Sequence, residues 1–296
     1  FPVNTYTDSL QSSPSVAAIS DGGFVVTWQL SGQDGSSYGV YGQRYDQAGN
    51  SAGDEFPVNT YTDDSQSSPS VAAISDGGFV VTWQLSGQDG SSYGVYGQRY
   101  DQAGNSVGDE FQVNTYTDDS QSTPSVAALS DGGFVVAWNS YEQDGSEYGV
   151  YGQRYDQAGN SAGDEFPVNT YTDGRQGSPS VAALSDGGFV VTWQSSGQDG
   201  SSYGVYGQRY DQAGNSVGDE FQVNTYTDRS QDSPSVVALS DGGFVVTWQS
   251  GDQDGSSYGV YGQLFLTSDV TLNNPSSGTV SIAGTIAENE VLTASN

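Results

Sequence analysis

The sequence contains no Lys, His, Cys or Met in 296 residues, and all six of its basic residues are Arg. Cys–His and Ser–His nucleophile systems, imidazole metal ligands, lysine Schiff bases and P-loops each need a residue that is missing here. The absence of Cys also excludes disulfides and leaves the redox compartment undecided. The composition therefore excludes a large part of known enzyme chemistry.

Positive charge is almost absent as well. The 36 acidic residues outnumber the six Arg, which gives a formal net charge of -30. Such a surface repels phosphate backbones and anionic membrane surfaces, so we expect no nucleic-acid partner. The sequence also lacks any run approaching 18 consecutive apolar residues, and we expect no membrane insertion. Because Asp54 and Glu55 place charge at the start of an outer strand, we expect the isolated domain to be monomeric.

What the sequence does contain is a repeat. The segment FPVNTYTD or FQVNTYTD returns every 55 residues without an insertion, and the first two units differ at only three positions. The units begin at Phe1, Phe56, Phe111, Phe166 and Phe221. The repeat ends near Leu266, and a different segment, residues 267–296, follows. We therefore divide the chain into a repeat domain, 1–266, and a linker with the beginning of a second module, 267–296.

Each unit contains four short runs rich in β-branched and aromatic residues. In the first unit we name them D (Phe1–Thr5), A (Ser15–Ser20), B (Phe24–Gln29) and C (Tyr38–Tyr45). Asp-Gly between A and B is a strong hairpin signal, because a type I′ turn needs positive φ at both central residues. Four antiparallel strands in 55 residues predict an all-β fold, a β-propeller with one blade per unit.

Two other architectures compete with the propeller. A parallel β-solenoid is disfavoured because its coils are shorter and do not pair through Asp-Gly hairpins. A string of separate sandwiches would leave each unit with too little core. Five D runs and five C runs, with D first and C last, predict a five-bladed ring closed by Phe1–Thr5 beside Tyr258–Phe265. The spacing also predicts that Arg44 pairs with Glu55 across the C–D hairpin.

The repeat unit, SPSVAALSDGGFVVTWQS followed by DGSSYGVYGQRYD, resembles repeats of large secreted, calcium-dependent RTX-type proteins and adhesins of bacteria. The segment TVSIAGT…ENEVLTASN near the end resembles the start of an immunoglobulin- or cadherin-like module. These resemblances imply an extracellular or cell-surface location within a larger exported protein. One departure from the RTX pattern is the absence of glycine-rich nonapeptide calcium repeats.

Sequence variation among the units concentrates in the D–A loop and in the B–C loop before the constant QDG, and a propeller places both loops on one face. Fixed strands with variable loops at one end are typical of binding surfaces, although unconstrained drift would give the same pattern. Aromatic residues beside Gln and Asp are typical of sugar-binding sites. The candidate ligand-binding residues are Gln33, Gln88, Gln143, Gln198 and Gln253, with Tyr38, Tyr93, Tyr148, Tyr203 and Tyr258. We expect the Trp that ends each B run to pack in the core instead.

The same face carries two sets of Asp residues whose oxygen atoms suit Ca²⁺. The candidate metal ligands are Asp8, Asp63, Asp118, Asp173 and Asp228 in the D–A loops, and Asp34, Asp89, Asp144, Asp199 and Asp254 in the QDG segments. The alternative is that each QDG aspartate closes an Asx-turn. No organic cofactor is expected.

Five nearly identical units offer five equivalent environments, whereas glycosidase chemistry needs two carboxylates in different environments. On this ground we expect no enzyme activity. The prediction is an extracellular, multivalent binding or adhesion module that recognises glycans or another cell-surface partner. The alternative is a passive spacer in a giant surface protein.

Overall fold

The computed structural model describes residues 1–33, 35 and 37–266, so the predicted second module, 267–296, and Asp34 lie outside the described residues. The described residues form nineteen β-strands. In chain order the strands are β1 (Gln11–Ala18), β2 (Phe24–Ser31), β3 (Tyr38–Tyr45), β4 (Phe56–Pro57), β5 (Gln66–Ala73), β6 (Phe79–Ser86), β7 (Tyr93–Tyr100), β8 (Ser106–Gln112), β9 (Gln121–Ala128), β10 (Phe134–Tyr141), β11 (Tyr148–Tyr155), β12 (Phe166–Pro167), β13 (Gln176–Ala183), β14 (Phe189–Ser196), β15 (Tyr203–Tyr210), β16 (Ser216–Gln222), β17 (Gln231–Ala238), β18 (Phe244–Gly251) and β19 (Tyr258–Phe265). This part of the chain has no helix long and apolar enough to cross a membrane.

The strands form five antiparallel sheets in sequence order, β1–β4, β5–β8, β9–β12, β13–β16 and β17–β19, which we call blades 1 to 5. Each sheet holds the A, B and C strands of one unit, and in blades 1 to 4 the fourth strand leads into the next unit. The A strands of successive blades contact one another. The Ser-Pro or Thr-Pro pairs of all five A strands, from Ser13-Pro14 to Ser233-Pro234, line one central cavity of about 370 Å³. This arrangement confirms the predicted all-β propeller.

Strand A is longer than the sequence predicts. It begins at Gln11 rather than Ser15, and a β-bulge interrupts its pairing with strand B between Ser12 and Ser15. Ser13 lies within the bulge at a φ of 52°, an uncommon conformation for a residue other than Gly. Bulges absorb an extra residue and allow Pro within a sheet, which explains why a Pro-containing segment forms a strand here.

Strand D occurs in two lengths. It covers two residues at Phe56–Pro57 and Phe166–Pro167, but seven at Ser106–Gln112 and Ser216–Gln222. The longer strands have Val in place of the Ala at position 52 and Gln in place of the Pro at position 57. Val favours strands more than Ala does, and Gln supplies a backbone N–H that Pro lacks. The prediction of a D strand from Phe1 to Thr5 is not met, because residues 1–5 form no strand.

The hydrophobic core lies between adjacent blades. Val25 and Val40 of blade 1 pack with Val81 and Trp83 of blade 2 in one buried cluster. The Phe79 and Tyr100 rings of blade 2 stack at 4.8 Å. The five Trp side chains are 0 to 7 % exposed, which agrees with the predicted packing role. Each blade therefore depends on its neighbours for burial of its faces.

Ring closure by the N-terminal strand is not shown by the structure. The sheet of blade 5 contains only β17, β18 and β19. The Phe1 ring instead lies 5.3 Å from the Tyr45 ring of blade 1, and Tyr45 Oη donates a hydrogen bond of 2.9 Å to the Val3 carbonyl. The first residues thus pack against blade 1 without pairing with strand β19.

The predicted Arg44–Glu55 pair is wrong. Arg44 Nη2 lies 3.4 Å from Asp21 Oδ2 in the A–B turn, and Arg44 Nη1 donates to the Ala103 carbonyl of the next blade at 2.8 Å. The register explains the choice, since Arg44 lies opposite Val25, near the A–B turn. Glu55 Oε2 instead accepts hydrogen bonds from the backbone N–H and hydroxyl of Thr5. The Arg side chain therefore connects neighbouring blades.

Candidate functional site

The D–A and B–C loops meet on one face of the propeller, as predicted, and we call this surface the loop face. Within a unit, Ser31 N–H donates to the Leu10 carbonyl at 3.0 Å. Between units, Ser92 N–H and Ser91 Oγ donate to the Asp119 carbonyl at 3.3 and 3.1 Å. The D–A loop of one unit is thus bound to the B–C loops of its own unit and of the preceding unit. Because strand A follows the D–A loop directly, the central cavity lies at the same end of the blades.

The five candidate Tyr residues begin the C strands, and Tyr38, Tyr93 and Tyr148 contact the D–A loop of the following unit. Tyr38 forms an isolated parallel bridge with Ser65, and Tyr93 forms one with Ser120. Tyr38, Tyr93, Tyr148 and Tyr203 are partly buried, whereas Tyr258 is 58 % exposed. These junctions between units therefore place a partly buried Tyr beside a variable loop.

The candidate Gln residues do not share one environment. Gln33 and Gln88 are exposed, but Gln143 Nε2 donates to Glu165 Oε1 at 2.6 Å, and Gln198 does the same to Glu220 at 2.5 Å. The side-chain oxygens of Gln143, Gln198 and Gln253 are buried and accept no hydrogen bond from the described residues. Part of the predicted Gln set is thus directed into the protein.

The four described QDG aspartates adopt the Asx-turn that the sequence offered as the alternative to metal binding. Oδ1 of Asp89 accepts the Ser91 N–H at 3.1 Å. The same bond, at 3.0 Å, is made by Asp144, Asp199 and Asp254. Oδ2 of Asp89, Asp144 and Asp199 is buried and unpartnered among the described residues, an arrangement that costs free energy.

The D–A aspartates differ from the QDG aspartates in exposure and contacts. Asp8, Asp63, Asp118, Asp173 and Asp228 are all exposed. The backbone carbonyl of Asp63, not its carboxylate, accepts the Gln66 Nε2–H at 2.7 Å. Among the described residues, no group of three or more acidic side chains could hold a metal ion together. Calcium binding at the two Asp sets stays a prediction.

A second set of Tyr residues lies deeper, three residues after the first residue of each C strand. Burial, followed by the charges of Asp144 and Glu165, raises the pKa of Tyr151 to about 12. Burial and the equivalent carboxylates also raise the pKa values of Tyr96 and Tyr206. These phenols stay protonated at neutral pH, so the carboxylates beside them face neutral neighbours.

The junction between blades 3 and 4 carries side chains that the other junctions lack. The Tyr141 ring, at the end of strand B, contacts the Tyr148 ring edge-on with centroids 4.9 Å apart. The Arg175 guanidinium of the next unit lies 4.7 Å from the Tyr148 ring centroid, a cation–π distance. Sequence reasoning selected Tyr148 but neither Tyr141 nor Arg175, which lie at variable positions, because the Arg175 contact joins two consecutive units.

No known family model matches the sequence, and no curated protein matches it. Solved structures with the same fold exist. A protein of unknown function from Dyadobacter fermentans is 10 % identical, with a TM-score of 0.66 over 91 % of this chain and 83 % of that one. The Penicillium chrysogenum α-L-arabinanase bound to arabinobiose is 14 % identical, with a TM-score of 0.55 over 85 % and 81 %. The Fusarium graminearum GH93 α-L-arabinofuranosidase bound to arabinobiose is 14 % identical, with a TM-score of 0.54 over 87 % and 83 %.

The comparisons correct the exclusion of enzyme activity. Near-identical units were expected to be unsuited to glycosidase chemistry, but the arabinanase and the arabinofuranosidase have this same propeller fold. At 10–14 % identity the likeness shows the fold alone. The fold therefore gives no ground for excluding catalysis, and that exclusion was wrong.

Proposed function

We infer that this chain is a carbohydrate-binding propeller and that the junctions between units on its loop face are the sugar subsites. The observation that carries this proposal is the Tyr141–Tyr148–Arg175 cluster on a face built from the variable loops. Aromatic rings offer apolar faces with polar edges, a combination that suits pyranose or furanose rings. The arabinobiose complexes with the same fold support this proposal.

The class of glycan follows from charge. A net charge of -30 repels polyanions, so we expect neutral oligosaccharides rather than acidic ones. Arg175 is exposed, and its planar guanidinium can donate hydrogen bonds to sugar hydroxyls beside the Tyr148 ring. The equivalent Tyr residues of the other junctions would provide weaker sites, and repetition would raise the apparent affinity for a polymer.

The repeat resemblance adds two further elements to the proposal. It supports an extracellular or cell-surface module of an adhesive protein, in which glycan binding would supply the adhesion. It also supports Ca²⁺ binding by the loop-face aspartates. The carboxylates in the D–A loops are exposed, and carboxylate oxygens suit a hard cation. The Ca²⁺ element is tested by measuring sugar binding with and without CaCl₂.

The decisive experiment replaces the side chains that distinguish one junction. A glycan array of neutral and acidic oligosaccharides, arabinobiose included, is probed with and without CaCl₂, and the tightest neutral ligand is titrated by calorimetry. We expect the double variant Tyr141→Ser, Arg175→Ser to lose affinity by about tenfold or more, because it removes a ring contact and a cation. The variant should fold normally, since unit 4 already has Ser at the first position and unit 2 at the second.

A matched control is provided by the junction between blades 4 and 5. There the variant Ser196→Ala, Arg229→Ser removes a cation that is paired with Asp252 rather than placed over a Tyr ring, and it should leave affinity unchanged. Equal losses in both variants would contradict the assigned subsite. The absence of any glycan ligand would favour the passive spacer. Chromatography of the titrated sugar reports whether it is only bound or also cleaved.

A further inference from the structure

Blade 5 has one face that the other blades bury. This open face contains Val237, Val245, Val260 and Leu264. Val260 is 81 % exposed, whereas its equivalents in the four other blades, Val40, Val95, Val150 and Val205, are 0 % exposed. Contiguous apolar side chains on the surface of a soluble protein mark an interaction site.

The contacts missing from the open face are specific. In blades 1 to 4 a Phe of the following segment lies over a C-strand glycine, so that a Cβ added to Gly207 would come within 2.7 Å of Phe221 Cζ. Near Gly262, the equivalent in blade 5, a Cβ would meet only Thr247 and Val246 of its own sheet. Blade 5 therefore has an unoccupied place for the outer segment of a blade.

Blade 1, at the other end of the series, also has a face that is incompletely covered. Val16 of blade 1 is 65 % exposed, whereas the equivalent Val71 of blade 2 is 7 % exposed. Residues 1–6 cover part of this face in the way that an outer segment covers the next blade. Phe1 lies 5.3 Å from Tyr45, as Phe56 lies 5.4 Å from Tyr100, and both Tyr hydroxyls donate to a Val carbonyl.

Residues 1–6 lack a sheet of their own, however. Phe1 is 79 % exposed, while Phe56, which pairs with Gly42 in strand β3, is partly buried. Asn4 Nδ2 bonds to Tyr6 and Gln11, as Asn59 Nδ2 bonds to Tyr61 and Gln66. Asn59 Oδ1 also accepts the Val40 N–H of the preceding blade. Among the described residues, the oxygen of Asn4 accepts no such bond.

The two incomplete surfaces border the same gap. Blades 1 and 5 both contribute their Ser-Pro pairs to the one central cavity, so all five blades surround one axis. We propose that one further blade of the same 55-residue repeat binds in this gap, between the open face of blade 5 and residues 1–6. Its A, B and C strands would pack on blade 5 as blade 5 packs on blade 4, and residues 1–6 would be its outer segment.

A repeat unit is the occupant that matches both surfaces at once. The molecule already contains four copies of the required interface, built from the same Val, Phe, Tyr and Trp positions. Leu264 replaces the Arg that links neighbouring blades elsewhere, so binding at the open face relies on apolar packing. A second whole copy fits less well, because it would bring five blades to two surfaces that each lack one neighbouring blade.

The test uses the absence of Cys, which lets a single introduced thiol report on one position. Val260→Cys is placed in the chain of residues 1–296 and in an extended chain with a copy of residues 1–55 ahead of Phe1. We expect the thiol to react rapidly with a maleimide in the shorter chain. In the extended chain the reaction should slow by more than about tenfold, because a buried thiol reacts only after local opening. Ser106→Cys, on an exposed outer strand, should react equally in both chains.

Three results would overturn the proposal. A thiol already protected in the shorter chain at all protein concentrations would mean that blade 5 closes directly on blade 1. Protection in the shorter chain that disappears on dilution would mean that a second copy covers the face. A thiol that stays reactive in the extended chain, while circular dichroism shows the added unit folded, would mean that the extra blade does not bind there.

Discussion

Blades 4 and 5 have nearly the same sequence and very different surfaces. Their B strands differ only at the last residue, yet Val190 is 0 % exposed and the equivalent Val245 is partly exposed. The contrast is greatest in the C strands, where Val205 is 0 % exposed and Val260 is 81 % exposed. In a repeat protein, burial is a property of the interface with the next repeat rather than of the repeat itself.

The largest effect should come from placing a charge at the two equivalent valines. Val205→Asp puts a carboxylate into the dry interface between blades 4 and 5, and we expect it to lower the free energy of unfolding by about 4 kcal/mol or more. Val260→Asp adds the same carboxylate to an exposed surface and should change stability by less than about 0.5 kcal/mol. Urea unfolding followed by Trp fluorescence measures both. Equal losses would show that the open face is covered in solution.

A smaller difference is expected for the buried Asn that joins two blades. Asn224 Oδ1 accepts the Val205 N–H of the preceding unit at 2.6 Å, and its Nδ2 donates to Tyr226 and Gln231 of its own unit. Asn224→Ala leaves a buried N–H and a buried amide oxygen unpaired, which costs about 2 kcal/mol. The matched variant Asn4→Ala loses only partly exposed bonds, and we expect about 0.5 kcal/mol.

Urea unfolding also measures the stability losses of Asn224→Ala and Asn4→Ala. A third variant, Asn4→Ala in the extended chain, makes this comparison more specific. In the extended chain with the additional blade, Asn4 gains a C strand to bind, so Asn4→Ala should become as costly as Asn224→Ala. If Asn4→Ala stays mild there while the added unit is folded, residues 1–6 do not act as an outer segment. Asn224→Ala without effect would show that water replaces the interblade bond.

Local sequence was sufficient to predict the repeat, the A, B and C strands of every unit and the single loop face. Each depends on contacts within one unit, such as the Asp-Gly hairpin beginning at Asp21. Features that depend on a neighbouring unit were missed. The bulge conformation of Ser68 is held by Gln29 of the preceding blade, whose Oε1 accepts the Ser68 N–H at 2.9 Å. The partner of Arg44 and the contact of Arg175 with Tyr148 also come from packing between units.

The smallest effect is expected for the Arg that blade 5 lacks. Arg154 Nη2 lies 3.2 Å from Asp131 Oδ2, and its Nη1 donates to the Ala213 carbonyl of blade 4 at 2.8 Å. Because Asp131 is one-third exposed, solvent weakens the ion pair, and we expect Arg154→Leu to cost about 1 kcal/mol.

The reverse change, Leu264→Arg, has no following blade to bind and should be neutral in the chain of residues 1–296. In the extended chain, Leu264→Arg should stabilise by a similar amount, since a C–D turn would then lie opposite the guanidinium. Thermal unfolding of the three variants and their two parent chains measures these shifts, and a stabilising Leu264→Arg in the shorter chain would indicate that a neighbouring turn is already in place.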